Sequence, residues 1–335
     1  MKPREAVERG PGESLSAGPR PLPEGVGSSN TRPSDKSVTN NVFEAGVDTW
    51  RLAFKVTMDH GSEIFDLGRY KAQWMPGLSL LCVEGHPSPD GLVPGCELSP
   101  AFEEVQELVA GTCGWHKFKG LVGRDLSEFV GVARLDSTTT MRFADGRQGV
   151  ATLQGIAALD FPRLKPVVWA KPPETVGLTA LNSRGRLLGR CYDSGILRGT
   201  HGRGEAIRFE DQSRFKSGAR PSQEVFTARY VQERFERRFT PLAKATKGLT
   251  VASLPVLTRK LHEQLIEGEI TPAKAERLAG YLALNGTGLH QRTKYRRNAE
   301  LRELGLVVAD AFFEPVEVNL GEVFEACLSS ERWGL

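Results

Sequence analysis

The sequence predicts an α+β protein, built on a mainly antiparallel sheet with flanking helices and continuing into a basic, helical C-terminal part. Three observations predict it. Segments with strict apolar/polar alternation recur through the first two thirds of the chain. Helical patterns lie between them without the regular strand-helix rhythm of a parallel sheet, and from about Pro221 the period becomes helical, with arginines on the polar face. At 335 residues and 39% hydrophobic content the chain can fill a sizeable core and still hold a site.

Residues 1–41 are dominated by Pro, Gly, Ser and mixed charge, a composition that predicts a disordered tail. Order is expected from "VDTWRLAFKVTM", where Trp50, Leu52, Phe54, Val56 and Met58 alternate with Thr49, Arg51, Ala53, Lys55 and Thr57 as in a half-buried strand. A second strand is read at Leu78–Glu84. After a Pro/Gly-rich loop comes a helix with Ser99 as N-cap and Pro100 at its first position, turning Phe102, Val105, Leu108 and Val109 inward. A strand over Val130–Met141 follows. Asp145 then caps a helix with Val150, Leu153 and Ile156 on one face, and short strands are read in "RLLGRCYD" and "EAIRFED". These elements define a first domain over 42–220.

The second part, 221–335, is read as helical. "EVFTARYVQERFERRF" spaces Phe226 with Tyr230, and Val231 with Phe235 and Phe239, at i,i+4, while Arg229, Arg234, Arg237 and Arg238 fill the positions between. Thr271 and Pro272 open a helix that stops at Gly286, and a short turn leads to "HQRTKYRRNAELRELGLV", which carries Arg292, Lys294, Arg296 and Arg297. A tight turn with a basic second helix is the pattern of a helix-turn-helix; an ordinary αα-hairpin gives the same pattern.

The formal charge of +3 hides an asymmetry. Arg214 to Arg297 holds 17 Lys/Arg against 7 Glu, whereas Leu301 to Leu335 holds 2 Arg against 7 acids. Such a block is either a phosphate-binding face or a solvated, salt-bridged one. The five cysteines lack the spacing of a zinc site and are read as reduced thiols. No apolar run is long enough for a membrane span and no signal core opens the chain, so the expected setting is cytoplasmic, with no membrane partner.

Candidate chemistry lies in the strands. Alternation in "ARLDSTT" puts Arg134, Asp136 and Thr138 on one face, and in "AIRFED" it puts Arg208 and Glu210 on one face with Ile207 and Phe209 opposite. An acid inside a strand runs against propensity. Glu84 ends the strand read at Leu78–Glu84, with His86 two residues on, and oxygen and imidazole donors from adjacent strands suit Mg²⁺ or Mn²⁺. Leu188, Arg190 and Tyr192 share a face in "LGRCYD", so Tyr192 can stand beside those carboxylates. A tyrosine hydroxyl is a poor nucleophile at its ordinary pKa of about 10. A metal on the phosphate and nearby cations would activate it, which favours an accessible tyrosine; cross-strand aromatic packing is the alternative role.

In order, "CVEGHPSP", "ARLDSTT", "GRCYDSG" and "IRFEDQSRFKS" resemble the rolling-circle replication initiators of phages and plasmids, most closely the filamentous-phage gene II type. The resemblance spans roughly residues 45 to 310. It implies a nickase-like α+β domain and a metal-dependent, site- and strand-specific DNA nickase. Its tyrosine would attack a phosphodiester, become linked to the 5′-phosphate and free a 3′-hydroxyl. It further implies Tyr192 as nucleophile and Asp136 and Glu210, then Glu84 and His86, as the site residues for Mg²⁺ or Mn²⁺; in such a site Arg134, Arg190 or Arg208 would stabilise phosphate charge. Origin DNA would be the partner, with a host helicase and DNA polymerase following. The His-hydrophobe-His motif of the larger superfamily is absent, as is a second tyrosine four residues from Tyr192. Two other classes remain open: a non-enzymatic DNA-binding regulator of a mobile element, and a relaxase or transposase with the same tyrosyl chemistry.

Overall fold

The computed structural model describes residues 43–56, 63–88, 92–115, 127–161, 163–169, 175–181, 186–199, 201–222, 225–284, 287–309, 314–329 and 333; the tail 1–41 lies outside them. Two long strands, β1 (Phe43–Val56) and β5 (Ser127–Arg142), pair antiparallel in the middle of a nine-stranded sheet. Beyond β1 lie β4 (Leu80–Gly85), β3 (Tyr70–Met75) and, at the edge, β2 (Glu63–Leu67). Beyond β5 lie β9 (Ala206–Arg214), β8 (Leu187–Asp193), β7 (Thr175–Ala180) and the other edge strand, β6 (Leu164–Trp169). All of these pairs are antiparallel. Each half repeats one path: a long central strand, a jump to the sheet edge, and a meander back inward. The returning strands β4 and β9 therefore flank the central pair.

One face of this sheet carries the core. Trp50, Leu52, Phe54, Leu135, Ile207 and Phe209 are buried beneath α1 (Leu98–Trp115), α2 (Gly146–Ala158), α4 (Ala228–Thr246) and α8 (Leu320–Leu328). The i,i+4 phenylalanines of α4 are the link: Phe239 meets Phe209 of the sheet and Phe324 of α8, while Phe235 stacks on Phe239 and packs on Trp333. The same core thus continues across position 221. At the start of α2, a Cβ on Gly204, at φ 76°, would run into the Gly146 carbonyl, so glycine is required for that close approach.

Past α4 stands a smaller unit: β10 (Thr250–Ala252), α5 (Leu254–Ile266), α6 (Pro272–Ala283), α7 (Gln291–Glu303), β11 (Leu306–Val308) and β12 (Glu317–Asn319). Its strands form a second sheet in the order β11-β10-β12, and Leu257, Leu261, Leu278, Leu282, Leu301 and Leu306 fill its own core. The two helices read from sequence, α6 and α7, are thus parts of a larger unit with α5 and three short strands.

Several boundaries differ from the sequence reading. The second strand starts at Leu80 rather than Leu78, because Pro76–Leu78 form a tight turn closed by Ser79 at φ 49°. The first helix starts at Leu98, one residue before Ser99. Seven strands were not foreseen, β2, β3, β6 and β7 in the large sheet and β10, β11 and β12 in the part read as helical. β2 and β3 mix Glu63, Asp66, Lys71 and Gln73 with apolar residues, and β6 contains Pro166, which an edge strand tolerates. Asp145 and Thr271 cap α2 and α6 as read, each side chain accepting a backbone N–H. Among the described residues no helix is long and apolar enough to cross a membrane.

Candidate active site

The sheet face opposite the core is polar at its centre. Register places Arg51 and Thr49 of β1, Arg134, Asp136 and Thr138 of β5, Arg208 and Glu210 of β9, and Arg190 and Tyr192 of β8 side by side. Glu84 of β4 joins them opposite Arg51. The phase comes from pairing: Thr138 faces Glu210, Glu210 faces Arg190, and Arg208 faces Tyr192. An open cleft of about 700 Å³ lies over this face, lined among others by Asp48, Lys71, Glu84, Arg190, Tyr192 and Arg198.

The sequence-predicted residues form a connected network. Arg190 Nε lies 2.9 Å from both Glu210 carboxylate oxygens, and its guanidinium stacks 4.8 Å from the centre of the Tyr192 ring. The Tyr192 hydroxyl donates to Glu210 Oε2 at 3.4 Å. Arg134 bridges two acids, donating to Asp136 Oδ1 and to Glu84 Oε1, each at 2.8 Å. Glu84 also accepts from Arg51. Tyr192, Glu210 and Asp136 are thus gathered on one face.

One expectation is corrected. The tyrosine read as accessible is only 3% exposed, because the Arg190 guanidinium covers its ring. Burial, reinforced by the Glu210 charge, pushes its hydroxyl well above the ordinary tyrosine range. The phenolate is therefore not pre-formed. Asp136 and Glu210 are fully buried, and burial followed by repulsion from Glu210 raises the Asp136 carboxyl to about 8.

Residues overlooked in the sequence complete the site. Between Val47 and Thr49 the register with β5 slips, and Asp48 occupies the bulge. Its carboxylate accepts from Arg208 Nη1 at 2.5 Å and from Arg198 Nη2 at 3.2 Å. His86 turns to this residue, its Nδ1 donating to the Asp48 carbonyl at 2.7 Å. The signal was present: Val47 and Trp50 are both apolar and three apart, which an unbroken strand cannot bury on one face. Directly after Tyr192, Asp193 caps the short helix α3 (Ser194–Arg198) through Gly195 N and Ile196 N and also accepts from Gly204 N at 2.5 Å. That clamp fixes the strand end that carries Tyr192.

The proposed DNA-contacting arginines divide by environment. Arg229, Arg237, Arg292 and Arg296 are exposed and Lys294 is half-buried. Arg229 pairs with Glu233 at 3.0 Å, and Arg296 lies 3.8 Å from Glu300. Arg234 donates to the Tyr230 hydroxyl at 2.7 Å, Arg238 to the buried Asp211 at 2.8 Å, and Arg297 is buried against Glu300 at 2.7 Å. Arg234 and Arg297 are thus held within their own helices, and Arg238 ties α4 to β9.

The expected Mg²⁺ or Mn²⁺ can be tested against the donors. Asp136 and Glu210 are buried oxygen donors on adjacent strands, the donor type a hard divalent cation takes, but each is already held by an arginine, Asp136 through both oxygens by Arg134 and Glu210 through both by Arg190, so a cation there would have to replace those contacts. Glu84 is held by Arg51 and Arg134, and His86 by the Asp48 carbonyl. Among the described residues no group of three or more His, Cys, Asp and Glu is gathered as a ready metal site.

No family model matches the chain, and no curated protein does either. Among solved structures, the chain is similar to a rolling circle replication initiator protein from Geobacillus stearothermophilus at 14% identity, covering 53% of this chain and 76% of that one, with a TM-score of 0.27. At that level of likeness, the chemistry of this site rests on its own residues.

Proposed function

We propose that this chain is a replication initiator that nicks one strand of origin DNA, with Tyr192 as the nucleophile. The observation that carries the reading is the hydrogen bond from the Tyr192 hydroxyl to Glu210, with Arg190 and Arg208 on either side, at the wall of an open cleft. A pure DNA-binding regulator has no need of that convergence.

In the proposed step the Tyr192 oxygen forms a bond to phosphorus as the P–O3′ bond breaks. The phenolic proton passes to Glu210, and the departing oxygen becomes a 3′-hydroxyl after taking a proton. An incoming phosphodiester offers Arg190 an alternative partner to Glu210 and the Tyr192 ring, so substrate entry would free Glu210 to accept the proton. Arg208, fixed by Asp48, neutralises charge building on the phosphoryl oxygens. Asp136 and Glu210 would hold Mg²⁺ or Mn²⁺, which supplies Lewis-acid polarisation of the phosphate when bound. The exposed cations Arg229, Arg237, Arg292 and Arg296 would contact duplex phosphates, α6 and α7 acting in the manner of a helix-turn-helix.

The test is incubation of supercoiled DNA from the protein's own genetic element with wild type and Tyr192→Phe, with Mg²⁺ or Mn²⁺ and with EDTA. Metal-dependent nicked circles with protein on the 5′ end are expected from wild type, and binding without nicking from the variant. Nicking that survives the substitution would move the nucleophile elsewhere; binding by both proteins with no nicking would favour the regulator.

A further inference from the structure

A second recess lies away from the sheet site. It is a groove of about 430 Å³ between the end of α2, α6, α7 and β11, with Leu282, Leu301 and Val308 among its lining. That volume lies in the range that holds a small organic ring system. One face of α7 forms its wall, since Gln291, Lys294, Tyr295, Asn298 and Arg302 recur at helical spacing.

The side chains on that wall have a common chemistry. Tyr295 is 63% exposed, an unusual position for a large ring on a helix that packs elsewhere through Leu301. Lys294 has no ion partner among the described residues, and Arg302 sits 5.9 Å from the Tyr295 ring centre and 3.4 Å from the exposed Asp160 carboxylate. The Tyr281 hydroxyl donates to Asn298 Oδ1 at 2.7 Å, which orients that amide. An open aromatic face, an oriented amide and flanking cations form a surface on which a base can stack while its phosphate meets positive charge. Bases inside a duplex are stacked on one another and cannot enter such a recess.

We propose that this groove binds one unpaired nucleobase of a DNA strand, stacked on Tyr295, with Lys294 and Arg302 meeting the adjoining phosphate. This rests on the proposed reading only in taking DNA as the polymer. It adds a single-strand grip remote from Tyr192, suited to holding a strand that has been opened.

The experiment uses the full chain carrying Tyr192→Phe, so that its result does not depend on cleavage. A single-stranded oligo(dT) containing 5-iododeoxyuridine is cross-linked by light and the modified peptide mapped, and its affinity is followed by fluorescence anisotropy. Cross-linking to Tyr295 is expected. Tyr295→Ala should weaken binding about 5- to 150-fold, the span of one base-aromatic stack, while Tyr295→Phe keeps the affinity. Lys294→Ala should lower the salt dependence by about one phosphate contact. Cross-links confined to the sheet face, or an affinity indifferent to Tyr295→Ala, would overturn the proposal. So would a Tyr295 cross-link formed equally well with 5-iododeoxyuridine inside a blunt duplex, or one suppressed equally by free thymidine monophosphate, which would indicate duplex recognition or a mononucleotide pocket. Wild-type nicking without a Tyr295 cross-link would sink the groove and leave the nickase; the cross-link without nicking would do the reverse.

Discussion

Asp136 is an acid that the fold holds against its own charge. Its carboxyl is raised to about 8, first by burial and then by Glu210, although Arg134 pulls the other way. The folded protein therefore binds this proton more tightly than the unfolded chain, and the resulting stabilisation is present below about pH 4 and lost as pH climbs towards 8. Asp136→Asn removes that titration. Melting temperatures at pH 5, 7 and 9 should show the variant gaining on wild type as pH rises; parallel curves would mean that Asp136 titrates as an ordinary carboxyl. The same residue scale explains what was legible. Tyr192, Arg190, Asp136 and Glu210 could be picked from alternation because register keeps their phase. Asp48 could not, because a bulge takes it out of the alternation, and its partner Arg198 lies 150 residues away in the chain.

Among the elements, α4 shows how one helix serves two purposes. Its apolar stripe, Val231, Phe235, Phe239 and Leu242, is buried against the sheet, while Arg229 and Arg237 stay in solvent. Arg238 reaches the buried Asp211 of β9 on the core side of the sheet, so part of the basic character read as a nucleic-acid signal is structural. Phe239 touches Phe209, Phe235 and Phe324. Phe239→Ala should cost about 3–5 kcal/mol, as for other buried aromatic truncations, checked by denaturant unfolding. A loss below about 1 kcal/mol would mean that α4 contributes little to the sheet's core. The helical period made α4 readable, whereas β2, β3, β6 and β7 are runs of five or six residues, too short for alternation alone to mark them even where they bury Tyr70, Trp74, Val176 and Leu178.

For the whole molecule, the continuity of the core across position 221 has a direct consequence. A fragment of residues 42–220 would expose the sheet surface that α4 and α8 cover, including Phe209. It should lack a cooperative thermal transition by circular dichroism, while the full chain shows one; a sharp transition in the fragment would show that the first part folds alone. The sequence by itself determined the α+β class, the central strands, the helix caps Asp145 and Thr271, the basic block and the four side chains at the heart of the site, because these depend on local period and residue chemistry. Only tertiary structure decided the strand order, the partners Arg208 and Arg198 that Asp48 holds, the covering of Tyr192 by Arg190, and which arginines face solvent. Each of those depends on partners far apart in the chain, and no local pattern carries that information.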